Sequence, residues 1–175
     1  MVLDRARLES LRDQLRARGQ RASMVLPSAG ASKELLDAVE IVEEYGALCE
    51  AMYLMMAADR RVTNSEREVL RGALDILSNG RVRTMHMDAM LDAAARRIAT
   101  EGASARLDRT LFALQGDVAR AEVVLVLAAA VALADRVVAP EEHALLQQLA
   151  RGLGVEETRA NALLEELSAP PPVAP

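Results

Sequence analysis

The chain has one cysteine, no tryptophan, one phenylalanine, two tyrosines, two histidines and six prolines in 175 residues. Each scarcity excludes something. Cys49 alone cannot form an intramolecular disulfide or a cysteine-rich zinc site, so it reads as a small buried apolar residue in a reducing, cytoplasmic setting. Hydrophobic residues make up 51% of the chain, and they are mostly Ala, Leu, Val and Met. That supply suits helices of small and straight-chain residues, not a sandwich of aromatic and β-branched strands. The expectation is all-α, a single compact domain.

Other absences narrow the function. The segment Met1 to Gln14 carries Arg and acidic residues where an export signal needs an apolar run, so none is expected. The longest apolar run, Val123 to Ala134, falls short of the roughly 18 to 20 residues that cross a bilayer, and it reads as a fully buried helix. No phosphate-cradling glycine loop or dinucleotide fingerprint is present. Neither His86 nor His143 stands at a spacing from a Ser or Cys that suggests a nucleophile and its base, and an enzyme would have to be built from carboxylates alone. The reading is non-enzymatic, with no cofactor required.

Net charge is −5, but it is unevenly spread: residues 1–33 hold seven basic and three acidic side chains, residues 34–175 fourteen and twenty-three. An acidic body argues against nucleic acid as partner. The basic segment, residues 1–26, has Leu8, Leu11 and Leu15 on one stripe and acid–arginine neighbours three apart, the pattern of an amphipathic arm helix. It is expected to pack on its own domain or on a protein partner, with peripheral membrane contact the lesser reading. Residues 27–32 read as a linker, 33–168 as the domain, and 169–175, rich in proline, as a disordered or polyproline-like tail.

What is present in the domain is a stretch written twice. Ala58-Asp59-Arg60-Arg61-Val62-Thr63-Asn64-Ser65-Glu66 returns 76 residues later as Ala134-Asp135-Arg136-Val137-Val138-Ala139-Pro140-Glu141-Glu142. Each copy follows an apolar helical run, carries an Asp and, seven residues on, a Glu, and opens a leucine-patterned helix. The pattern predicts about seven core helices in two pseudo-repeated halves: 33–58, 64–77, 84–99, 104–115, 118–134, 140–154 and 156–167. In the first, Leu35, Leu36, Val39, Val42, Leu48, Met52, Met55 and Met56 form the apolar set, and Glu40, Glu43, Glu44 and Glu50 face outward. Thr63 and Glu66 have capping-box spacing, so the first two helices are expected to form an antiparallel hairpin. The methionines Met52, Met55, Met56, Met85, Met87 and Met90 read as core filling.

Three readings of the repeated acids stand. Glu66 and Glu142 cap helices while Asp59 and Asp135 accept hydrogen bonds from turn amides. Alternatively, Asp59, Glu66, Asp135 and Glu142 bind a hard divalent cation such as Ca²⁺ or Mg²⁺. The third is an acidic rim for a protein partner. An EF-hand is excluded, because a loop starting at Asp59 places Arg61, Asn64 and Leu70 where it needs an oxygen ligand, Gly and Glu.

The apolar helix, the Ala-Asp turn, the Glu seven residues after that Asp, and the closing Leu153-Gly154-Val155-Glu156-Glu157 resemble the tellurite-resistance TerB-like family, over roughly residues 33–168. That domain is also similar to the N-terminal part of a membrane-anchored DnaJ-type co-chaperone. The resemblance implies two related helical halves with acids clustered at the turns, a role in tellurite resistance and stress response, a protein partner or self-association, and suspected metal binding. Its motif falls on Asp59, Glu66, Asp135 and Glu142. The family carries Gly after the motif Asp, whereas here Arg60 and Arg136 stand there. Gly permits a positive φ, so Arg implies either a different turn or a strained one.

Overall fold

The computed structural model describes residues 33–168, apart from Asp117 and residues 135–137. The arm (1–26), the linker (27–32) and the tail (169–175) lie outside the described residues. Seven helices run in order, α1 Lys33–Met56, α2 Asn64–Ser78, α3 Thr84–Glu101, α4 Ala103–Leu114, α5 Val118–Ala132, α6 Pro140–Gly152 and α7 Glu157–Ser168. Among the described residues there is no strand, and no helix is long and apolar enough to cross a membrane. The fold is all-α, as the composition dictates.

Two helices form the centre. In α5 every residue from Val123 to Ala132 is buried, because the run offers no polar side to water. In α1 the stretch from Leu48 to Met52 and then Leu54 to Met56 is buried equally completely. These two pack on each other; α3 and α4 flank α1, and α2, α6 and α7 flank α5. The order long helix, motif turn, helix, helix thus runs twice, as α1–α3 and α5–α7, with α4 between. Leu70, Leu74 and Leu77 of α2 and Leu146 and Leu149 of α6 complete the core, with Met87, Met90 and Leu91 from α3. Cys49 is fully buried, and burial pushes its thiol up to about 12, so it is an inert core residue.

The structure corrects three expectations. The first two helices do not form a packed hairpin: α2 lies chiefly against α5, the central helix of the other half. Val39 and Val42 are outside the core, 47% and 53% exposed, while Ile41 and Tyr45 are buried. One residue of helix rotates a side chain by about 100°, and the N-terminal half of α1 is covered on one side only. Met85 is likewise exposed.

Glu50 is the third correction. It is 3% exposed instead of outward-facing. Its Oε2 accepts hydrogen bonds from Nε (3.1 Å) and Nη2 (2.8 Å) of Arg97 and from Nη2 of Arg106 (2.9 Å), and its Oε1 accepts from Arg106 Nε (2.6 Å). Arg106 also meets Glu101, which pairs with Arg109 at 2.6 Å. The two arginines come from α3 and α4, and a single residue separates those helices. That residue, Gly102, sits at φ 87° and ψ 149°, a conformation only glycine adopts without strain. Gly102 therefore sets the turn that lets both guanidiniums reach one carboxylate. On the other side of α4, Gly152 at the end of α6 lets the Leu111 side chain close on the backbone, where a Cβ would make it shift.

Burial alone would raise the Glu50 carboxyl. The hydrogen bonds and charges of Arg106 and Arg97 outweigh it, and the net shift is downward from the ordinary value. A depressed acid stabilises the fold above its unfolded pKa, about 4.3, and that contribution is lost as pH falls through the lower folded value. Glu50→Gln is expected to cost about 2–3 kcal/mol at neutral pH, by taking from the partly buried Arg106 the closer of its two carboxylate partners and leaving only Glu101. Denaturant titrations at pH 7 and pH 3 should show the gap between wild type and variant narrowing in acid. A gap of equal size at both would remove the ion pair from the account.

Candidate functional site

The first motif turn begins where α1 tightens. The amide of Ala57 still donates to Tyr53 O (2.9 Å), but those of Ala58 and Arg60 donate to Met55 O (3.1 Å) and Ala57 O (3.0 Å), one residue closer than α-helical spacing. Arg60 then takes φ 67°. Of the two alternatives that Arg in place of Gly left open, the structure has the strained one: the left-handed turn is kept without the glycine. Asp59 holds it, its Oδ1 accepting from the amide of Arg61 at 2.8 Å. That bond also answers the helix dipole, which disfavours an anion at a C-terminus.

Thr63 then caps α2. Its Oγ1 accepts from the Glu66 amide (3.2 Å), and its own amide and hydroxyl donate to Glu66 Oε2 at 2.6 Å and 2.7 Å. The capping box read from the sequence is complete, and Glu66, 4% exposed, makes it from inside the core boundary.

The second copy, where it is described, repeats the backbone hydrogen bonds and the carboxylate half of the capping box. Leu133 N donates to Ala129 O (3.0 Å) and Ala134 N to Val131 O (3.0 Å), each 76 residues on from its counterpart in the first copy. Ala139 N donates to Glu142 Oε2 at 2.7 Å, the equivalent of the Thr63–Glu66 bond. Ala139 has no hydroxyl for the other half of the box, and Pro140 at the first helical position instead fixes φ and removes one amide that needs a partner. Glu142 is 5% exposed. Asp135 and Arg136 lie outside the described residues, so the four acids are not placed relative to one another.

Chemically, then, Glu66 and Glu142 each commit one carboxylate oxygen to the start of a helix, and Asp59 commits one to the turn before it. Among the described residues no three His, Cys, Asp or Glu side chains gather to hold a metal ion. His143 is exposed and bonds Gln147 at 3.1 Å, while His86 Nδ1 accepts from the Arg83 amide at the start of α3 (3.2 Å). The groove beside α2 is lined by acids and bases together, including the ion-paired Glu68 and Arg71, and so presents no field of one sign.

The sequence pattern described as "Tellurite resistance protein TerB" matches residues 46–165, both motif copies included. The chain belongs to the TerB family. Comparisons with curated proteins and with solved structures give no match. TerB membership makes this a tellurite-resistance-type domain.

Sequence reasoning missed the Glu50 cluster of this TerB domain. One signal was available: Glu50 is the only charged residue between Gly46 and Ala58. A lone acid in such a run is enclosed and must find a partner.

Two outcomes follow from the turn. Arg60→Gly should raise stability by about 0.5–1 kcal/mol, relief of left-handed strain set against the added chain entropy of glycine, and thermal unfolding reads it directly. Glu66→Ala should lower stability by about 1–2 kcal/mol in the presence of a chelator. A melting temperature unchanged by that substitution would mean that the carboxylate is not a cap.

Proposed function

We propose that this TerB-family chain is a non-enzymatic, cytoplasmic stress-response protein of the tellurite-resistance type that works by binding another protein. The observation that supports it most directly is the burial of Glu66 and Glu142 as helix caps. Acids engaged in this way set the angle between helices and have little part in chemistry at an open site. Phe112, the only phenylalanine of the chain, adds to this, being 79% exposed on the outer side of α4. An aromatic ring that the core does not use is the kind of anchor that protein interfaces favour.

A second reading rests on the same pair of acids: two buried carboxylates at equivalent places, with Asp59 and Asp135 seven residues before them, would suit a hard divalent cation in a sensor or buffer protein. The two readings separate cleanly. Calorimetry of the full chain with Ca²⁺, Mg²⁺, Mn²⁺ and Zn²⁺ should give no saturable heat if the acids are caps, and binding lost in Asp135→Asn would favour the sensor. For the interaction role, the wild-type chain is expected to confer tellurite tolerance on cells, and Phe112→Ala should remove it while leaving the melting temperature within about 1 °C, as for an exposed site. Full tolerance with alanine there would take the partner face away from α4.

A further inference from the structure

We propose that the exposed apolar stripe of α1, centred on Val39 and Val42, is the seat of the chain's own N-terminal segment, residues 3–19, laid back along α1 in cis. The stripe is an anomaly within its helix. From Leu48 onward α1 is enclosed by α3, α4 and α5, yet nine and six residues earlier Val39 and Val42, three apart and therefore on one face, stand 47% and 53% exposed. Leu36 and Gly46, both partly buried, extend that face by a turn in each direction.

Charge says what would cover it. The exposed acids Asp37, Glu40, Glu43 and Glu44 border the stripe, with no basic residue between positions 34 and 44. Arg81 pairs with Glu40 at 3.5 Å and with Glu44 at 2.9 Å, while Asp37 and Glu43 meet no basic side chain among the described residues. Residues 1–26 are the complement, with Leu8, Leu11 and Leu15 at helical spacing and six arginines, Arg5, Arg7, Arg12, Arg16, Arg18 and Arg21, against three acids.

Reach says that the contact is intramolecular. Residues 20–32 span up to about 43 Å at ~3.3 Å per residue. Val39 and Val42 lie only about 9–14 Å beyond the start of α1 at 1.5 Å per residue, so a helix over 3–19, about 25 Å long, can double back over them. The size of the patch points the same way. Two valines and their neighbours offer far less than the roughly 1,200 Å² that a stable separate partner needs, but a tethered segment meets them at an effective concentration in the millimolar range.

Hydrogen–deuterium exchange on the full chain tests this. Amides of residues 3–19 should exchange at least about tenfold more slowly than in an unstructured peptide, and lose that protection in Val39→Asp/Val42→Asp while the amides of α5 keep theirs. Leu11→Asp, which leaves the domain untouched, should release the segment equally. Protection in the wild type should persist over about a hundredfold dilution, as a cis contact requires. Three results would overturn the proposal: free exchange of 3–19 in the wild type, protection that fades on dilution and so belongs to a second copy, or protection that appears only with anionic phospholipid vesicles.

Discussion

A helix with no polar side must be covered from every direction, and α5 is such a helix. Its run from Val123 to Ala132 leaves no face for water, and α1, α2, α6 and α7 all close on it. At about 25 cal/mol per Å² of apolar surface, its burial, together with that of α1, is a main source of the folding free energy. The remaining features of the domain can be read as means of bringing those four helices to it at the right angle. Hydrogen bonds one residue tighter than α-helical spacing, at Ala58 and Ala134, close α1 and α5, and Glu66 and Glu142 open α2 and α6. The acids are buried because the helices they open are pressed against the core from their first turn.

Glu50 shows the opposite solution to burial. Where α1 is enclosed by α3 and α4, one position holds a carboxylate, and the cost of its desolvation is offset by two guanidiniums in near-ideal geometry. An apolar residue would fill the space equally well. What an ion pair adds is selectivity of arrangement, since it is satisfied only when α3 and α4 meet at the angle that Gly102 permits.

Much of this was legible in the sequence because it depends on local rules. Helix bounds fell within about two residues wherever a cap or a glycine marked them, as at Thr63, Asn79-Gly80 and Pro140. The capping role of Glu66 followed from three-residue spacing alone, and the twofold motif led to the family. What was not legible depends on which helix meets which. Spacing could not tell that α2 would seek α5 instead of α1, or that position 50 of α1 would face two helices at once while positions 39 and 42 would face none. The conformation at Arg60 lay between: the sequence posed the choice between two turns, and only backbone geometry could make it.

The crossing of α2 onto α5 carries a consequence for how the chain acquires its shape. Although the motif is written twice, the first half does not complete its own core: Leu70, Leu74 and Leu77 of α2 lie against α5, more than forty residues further along. During synthesis the first three helices would emerge with those leucines still wet, and they would stay so until α5 left the ribosome. The protein resembles a repeat in its sequence, but as a folding unit it is indivisible.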